Sequence, residues 1–364
     1  MKKVKEYQPF SEIPSVILWE ILGRVPIKTC LTCKLVCKEW YDIVVGPEFS
    51  SFRRHCNASR FTLLFYNAWT GGGGIVFHLV ELEKALNVDD SGNFIVGGDD
   101  LIKIRPKFDT PSQKFYVLSR CNGAVCFGSI RDEYFVCNLL SGQCVNVQNL
   151  HELKQHRSYH SMGCELGCCP VTGRFKVLMF ICDLLGKIEL TMIQTLGNGE
   201  WKSVGNAPLK NLRDGCFLNG SSHWCGRAYI WSFHFGEEKF LRIPIPNDIV
   251  TTAYDKRKKK VIVLDSCLCL GCFSQRNGSV TMDVWIMKEY GVKESWVKQF
   301  VIVTNELCVP IVQLDKGKIL LMNGFILYLY DTQTRVSEVG KFEFNEFSYA
   351  MMPLAGFDAS FLRL

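Results

Sequence analysis

Of the side chains in this chain able to do chemistry, the cysteines and histidines are the first to weigh, and two cysteine groups have the spacing of metal ligands. Cys269 and Cys272, in Cys267-Leu268-Cys269-Leu270-Gly271-Cys272, form one C-x-x-C pair, and Cys164 stands near Cys168 and Cys169. A tetrahedral zinc site takes two such pairs of cysteine or histidine. The first group also alternates as a strand does, with Cys267 and Cys269 on one face and Leu268 and Leu270 on the other. His151-Glu152-Leu153-Lys154-Gln155-His156 approaches a zinc hydrolase motif, but its histidines are one residue too far apart to align on a helix. With Arg157 and His160 they read as an exposed loop. Gly71-Gly72-Gly73-Gly74 lacks the Lys-Ser/Thr that would hold a phosphate and reads as a flexible turn, and neither a G-x-S-x-G elbow nor a Walker loop occurs. Lys256-Arg257-Lys258-Lys259-Lys260 has the composition of a nuclear import signal or an anionic contact, and equally of a solvated turn ahead of Val261-Ile262-Val263. From these residues no catalytic group, metal ligand or cofactor site is assigned.

Composition sets the compartment and the class. Hydrophobic residues make up 48% of the chain and charged residues 21%, the balance of a folded globular protein. A formal charge of +6 and a pI of about 8.5 fall short of a nucleic-acid domain. Lys2, Lys3 and Lys5 have no apolar run behind them, so no signal peptide is expected. Runs such as residues 177–182 are too short to span a bilayer. The expectation is an intracellular protein of the cytoplasm and/or nucleus, with neither nucleic acid nor membrane as partner. Its 18 cysteines are then reduced and mostly buried, not a disulfide framework, and the Asn-x-Ser sequons at Asn57, Asn219 and Asn277 carry no meaning.

The element that must position any function lies between Phe10 and Phe49. Pro14 and Pro26 each suit the start of a helix, where a fixed φ helps and a missing N–H costs nothing. On a helical wheel Ile17, Leu18, Trp19, Ile21, Leu22 and Val25 cover an arc of about 200°, twice the usual core-facing stripe. About forty residues cannot build a core around that much apolar surface. One face should therefore bury internally and another against a separate protein; the alternative is a helical cap packed wholly on its own downstream domain. A short helix is expected from Pro47 to Arg54, with Phe49 and Phe52 on one side.

From Phe61 the pattern becomes short β-rich runs, such as Phe61 to Tyr66, Arg174 to Cys182 and Met282 to Met287, punctuated by Ser141-Gly142, Thr172-Gly173, Asn198-Gly199 and Asn277-Gly278. A weak repeat sets Asn-Gly turns at Asn122-Gly123, Asn219-Gly220 and Asn323-Gly324, each followed by an aromatic strand. Their spacing of about a hundred residues is two propeller blades. Pro170-Val171-Thr172-Gly173 and Asp265-Ser266-Cys267-Leu268 fall near the half-period. A β-propeller is expected, with a β-sandwich pair as the alternative.

The first stretch resembles an F-box. Ile13-Pro14, Val25-Pro26-Ile27-Lys28 and Val36-Cys37-Lys38-Glu39-Trp40 match the family's Leu-Pro, Leu-Pro-Val-Lys and Val-Cys-Lys-x-Trp elements in order. Cys33 replaces a frequent aromatic, and Leu35 a frequent cysteine. The later part resembles the F-box-associated domain of plant proteins, including the S-locus F-box type. The carrying motifs include Cys121-Asn122-Gly123-Ala124-Val125-Cys126, Phe217-Leu218-Asn219-Gly220-Ser221-Ser222-His223-Trp224 and Asp283-Val284-Trp285-Ile286-Met287-Lys288-Glu289-Tyr290-Gly291. Cys168-Cys169-Pro170 and Asn138-Leu139-Leu140 depart from the family's Tyr-Asp-Pro and Asn-Pro.

The resulting expectation is an α+β multidomain protein, with an F-box module at residues 8–54 and an F-box-associated β-domain at 60–364. The resemblance implies a non-catalytic substrate receptor of a Skp–cullin–F-box ubiquitin ligase. It places adaptor contacts at Pro14, Ile17, Leu18, Ile21, Leu22, Val25, Pro26, Ile27, Lys28, Leu31, Val36, Cys37 and Trp40. The partners implied are a Skp-family adaptor, through it a cullin, and an unidentified target protein on the β-domain. A scaffold outside degradation, and an enzyme on a propeller, stand as alternatives. Target contacts are expected in the least family-like loops, Ala68 to Gly74, Asn149 to Met162 and Phe273 to Gly278.

Overall fold

The computed structural model describes residues 13–67, 75–86, 95–97, 101–106, 115–129, 133–147, 160–183, 188–208, 212, 215–249, 258–276, 278–324, 326–339, 341–343, 351–354, 357 and 359–364. Four helices come first: α1 Ser15–Arg24, α2 Ile27–Cys33, α3 Lys38–Val44 and α4 Pro47–Cys56. Pro14 and Pro26 stand immediately before α1 and α2, and Pro47 opens α4. Phe49 and Phe52 do share a side of α4. Each meets the Trp19 indole edge-on, with ring centroids 5.7 and 5.6 Å away.

The rest is a six-bladed β-propeller. Each blade is a four-stranded antiparallel sheet. Blades 2 to 6 are meanders that begin at Phe115–Cys121, His160–Cys168, Cys216–Leu218, Lys258–Leu264 and Val309–Gln313. First strands of neighbouring blades lie against one another, as Phe115–Cys121 does against His160–Cys168 and Lys258–Leu264 against Cys216–Leu218 and Val309–Gln313. Blade 1 is assembled from both ends of the domain, since Met351–Leu354 pairs with Arg60–Asn67. That closure covers an edge that would otherwise template pairing with another chain. In blades 2, 4 and 5 a two-residue corner joins the first strand to the second. At Asn122-Gly123, Asn219-Gly220 and Asp265-Ser266 both residues are left-handed, as a two-residue hairpin requires. Gly123 has a second reason to lack a side chain, because a Cβ there would stand 2.3 Å from the Ser360 carbonyl oxygen. The sequence repeat is therefore correct at its half-periods but out of register at its third copy: Asn323-Gly324 joins the second and third strands of blade 6.

Cores lie between blades, so a middle strand is buried on both faces. Every residue of Phe175–Cys182 is buried. Alternation fades there, and the polar outer strands such as Trp201–Ser203 and Lys239–Pro244 lacked a readable pattern for the opposite reason. In Ser279–Met287 the residues Val280, Met282, Val284 and Ile286 are buried on one face and Met287 at the strand's end, while Trp285 is half-buried on the other face. Cys267 and Cys269 share one face of Cys267–Arg276, and Leu268, Leu270 and Cys272 pack in the neighbouring cluster. Cys269 and Cys272 thus point apart and cannot chelate one ion together. Cys137 and Cys144, opposite each other on adjacent strands, form a disulfide, a departure from the fully reduced set expected. The basic run also differs from a turn, since Lys258, Lys259 and Lys260 already belong to a strand. Gly71–Gly74, His151 and His156 lie outside the described residues.

The helices do not stand apart. Leu18, Leu22, Ile27, Cys30, Val44 and Phe49 share one core with Leu64, Tyr66, Phe77 and Leu79 of blade 1, with Phe115, Val125 and Phe127 of blade 2, and with Phe357 and Phe361. At its centre Glu81 of blade 1 accepts from the Arg53 guanidinium of α4 at 2.8 Å and from the Ile27 N–H of α2 at 2.9 Å. Arg53 is buried and also donates to the carbonyls of Val25 and Gly23 and, at 3.5 Å, Leu22. The C-terminal segment seals the seam. Ser50 and Ser360 hydroxyls bond at 2.8 Å, and the buried Asn138 amide donates to the carbonyls of Ser360 and Leu362 at 3.0 and 2.7 Å. The inner face of the helices is thus buried against the chain's own β-domain and not within the helical module alone.

Two expected outcomes follow from this packing. Glu81→Ala leaves a buried guanidinium without its carboxylate and should cost about 3–5 kcal/mol in a denaturant melt, with Glu81→Gln losing less. A loss below about 1 kcal/mol would contradict the junction. The second concerns His223, fully buried in blade 4. Its Nδ1–H donates to the Cys216 carbonyl at 3.2 Å, so Nε2 accepts from the Tyr290 hydroxyl at 2.7 Å. Burial pulls its pKa from 6.5 down to about 4, against backbone hydrogen bonds that raise it. The unfolded chain therefore takes up this proton first as pH falls through 6.5. Stability is full above that value and drops toward pH 4, by about 2 kcal/mol at pH 5. Melts at pH 7 and pH 5 should show a shallower dependence in His223→Gln, and parallel slopes would refute the assignment.

Candidate functional site

The arc of apolar residues on α1 is split between two destinations. Leu18 and Leu22 turn inward and are fully buried, while Val16, Ile17 and Ile21 are 70%, 50% and 46% exposed. Ile17 and Ile21 stand at i, i+4 spacing and form one stripe along the outer face of α1, with the exposed Ile13 just ahead of the helix. After α2, Leu35 and Val36 are 77% and 61% exposed. An unpaired apolar surface of this extent on a small module is the mark of a contact site.

The expected contact residues sort accordingly. Pro14, Ile17, Ile21, Pro26, Lys28, Val36 and Cys37 are exposed, and Val25, Leu31 and Trp40 are half-buried. Leu18, Leu22 and Ile27 are buried, and all three lie within the shared core. Ile27 in particular was expected to face a partner, but the N–H bond to Glu81 draws the start of α2 onto blade 1. Val16 and Leu35 belong to the exposed surface and were not among the expected contacts; their apolar character in the middle of the motif was the available signal.

Polar groups frame the surface. Arg24 pairs with Glu20 along α1, and Lys34 Nζ donates to the Leu140 carbonyl at 2.5 Å, its pKa lowered by burial. Beside α1 a groove is lined by Trp19 and Ile43, with Lys38, Glu39, Asp42 and Glu48 around it. Cys30 sits behind this surface with its thiol pKa pushed up to about 11, chiefly by burial, which removes it as a nucleophile.

Two protein families match parts of the chain. The F-box domain family matches residues 10–52, and the F-box associated beta propeller domain family matches residues 100–341. The chain belongs to the F-box proteins with an F-box-associated propeller. Among similar relatives, F-box protein At3g07870 of Arabidopsis thaliana is 24% identical over 91% of this chain and 86% of its own length. F-box protein CPR1 of the same plant is 22% identical over 89% and 83%. A solved structure of YCF48 bound to D1 peptide superimposes with a TM-score of 0.35 at 9% identity, over 77% of this chain and 85% of its own.

Within the F-box, inner and outer positions should respond oppositely to the same substitution. Ile27→Asp buries an unpaired carboxylate in the shared core, and its cost of several kcal/mol should lower the melting temperature by many degrees. Ile17→Asp faces solvent and should leave melting within about 0.5 kcal/mol of the parent. Equal destabilisation by the two would show that α1 and α2 are oriented otherwise.

Proposed function

We propose that this F-box protein is the substrate receptor of a Skp–cullin–F-box ubiquitin ligase. The observation that carries the reading is the outer face of α1, where Val16, Ile17 and Ile21 stay exposed although Leu18 and Leu22 beside them are buried. A Skp-family adaptor is the partner that an F-box with this face would take, and a cullin would be reached through it. The β-propeller would hold the protein to be modified. No helix among the described residues is long and apolar enough to cross a membrane, and the reading places the chain inside the cell.

The chain itself would do no bond chemistry. Joining two binding modules raises the effective concentration of target lysines near the charged conjugating enzyme. The buried junction between helices and blade 1 adds a refinement, because a tether with few internal degrees of freedom fixes where the target is held. His223 and Cys216 converge in blade 4, yet the imidazole pKa is lowered to about 4 and the thiol is pushed up to about 12, mainly by burial. Neither is tuned for acid–base or nucleophilic work near neutral pH.

The test is a binding titration of full-length protein with a purified Skp-family adaptor. Ile17→Asp with Ile21→Asp should weaken binding at least about a hundredfold, since two carboxylates would enter a dry interface. The parent should bind tightly, and the variant should melt as the parent does. Undiminished binding by the double variant would overturn the proposed interface. Absence of binding by the parent would overturn the function.

A further inference from the structure

The corner between the second and third strands of blade 4 carries cations and aromatic rings that no core uses. Trp231 and Arg242 face each other across two strands. The Arg242 guanidinium lies 4.6 Å from the Trp231 ring centroid and 5.6 Å from that of Tyr229. Arg242 and Tyr229 are exposed, and Trp231 is half-buried. The turn itself holds the exposed Arg227, whose carbonyl accepts from Lys259 Nζ at 2.9 Å, and Lys258 next in line is exposed. Gly226 permits the arrangement, since a Cβ there would come within 3.0 Å of the indole and 2.6 Å of the Tyr229 carbonyl oxygen.

A guanidinium stacked on an aromatic ring keeps its in-plane N–H donors pointing outward and pre-ordered, the geometry that takes a carboxylate with two hydrogen bonds. Arg227, Lys258 and Lys259 add positive potential within about one Debye length of the same corner. Among the described residues no ion pair joins these four cations to a carboxylate. Tyr229 supplies an apolar surface alongside. The corner also sits at the strand ends opposite to those that carry the helices. Gly123 against Ser360, and Leu140 against Lys34, belong to the first–second and third–fourth corners, whereas residues 226–228 join a second strand to a third.

We propose that this corner of blade 4 binds an extended acidic segment of a partner protein. One carboxylate would sit on the Arg242 fork, another beside Arg227 and Lys259, with an apolar side chain against Tyr229. The charge is complementary to such a segment. Four cations around one turn do not form the longer track that neutralising a nucleic-acid backbone requires. That this partner is the ubiquitination target rests on the reading above; the binding itself does not.

The experiment uses full-length protein and a short fluorescent peptide of alternating Asp and Glu with one central Leu, beside its Asn/Gln counterpart. The acidic peptide should bind at least about tenfold more tightly than the amide peptide and lose affinity as salt is raised. Arg242→Glu and Arg227→Glu should each weaken it about tenfold or more with unchanged melting, and Arg174→Glu, at a first–second corner of blade 3, should not. Equal binding of the two peptides, indifference to Arg242→Glu, or tighter binding of a single-stranded oligonucleotide would overturn the proposal. Adaptor titration on the same samples separates the two ideas. Peptide binding without adaptor binding refutes only the ligase reading, and the reverse refutes only this one.

Discussion

Glu81 lies on the third strand of blade 1, yet the placement of the N-terminal helices depends on it. One of its oxygens meets the buried Arg53 of α4 and the other meets the first N–H of α2. Arg53 in turn gathers carbonyls from the end of α1. Removing water from a guanidinium is costly unless charge and hydrogen bonds are both answered, and here they are answered by groups from two domains. The pair specifies a geometry more than it adds stability. Once α2 and α4 are held, Leu22, Ile27 and Cys30 must face the propeller, and the outward set on α1 is determined.

This constraint explains how so small a module can expose so much apolar surface. A free-standing unit of four short helices is too small to build a core of its own. Here the propeller supplies the missing half of the core through Leu64, Phe77, Phe127 and Phe361, so the outer isoleucines have nothing left to pack against. The same device joins the chain's two extremes. Met351–Leu354 completes the first blade and the residues after it run into the helix–propeller seam, so ring closure and helix docking are coupled.

Much of this was legible in the residues. The prolines, the wide apolar arc and the F-box elements located the helices, and turn pairs such as Asn122-Gly123 gave the propeller period, because both are local signals. Direction was not legible. Whether Ile27 faces a partner or blade 1 depends on Glu81, more than fifty residues away (a distance no helical wheel contains). Outer strands such as Trp201–Ser203 and Lys239–Pro244 escaped notice, since solvation removes the apolar pattern, whereas the doubly buried Phe175–Cys182 showed as an apolar run without alternation. Cys137 and Cys144 paired only once the third and fourth strands of blade 2 set them opposite each other. At the site, the exposure of Val16 and Leu35 is set by how the helices pack, and the Arg242–Trp231 contact by the strand pairing that creates it, neither of which is a local signal.

The central claim is that the helical surface is divided, with the inner face committed to the propeller and the outer face left for an adaptor. Hydrogen–deuterium exchange on the full-length chain, with and without a purified Skp-family adaptor, reads both faces at once. The account predicts new protection over residues 13–21 and 35–37 on adding adaptor. It also predicts slow exchange at Ile27, Cys30 and strand Val76–Glu83 in both states. Fast exchange of Ile27 and Cys30 in the free chain, or their protection only on adding adaptor, would contradict it.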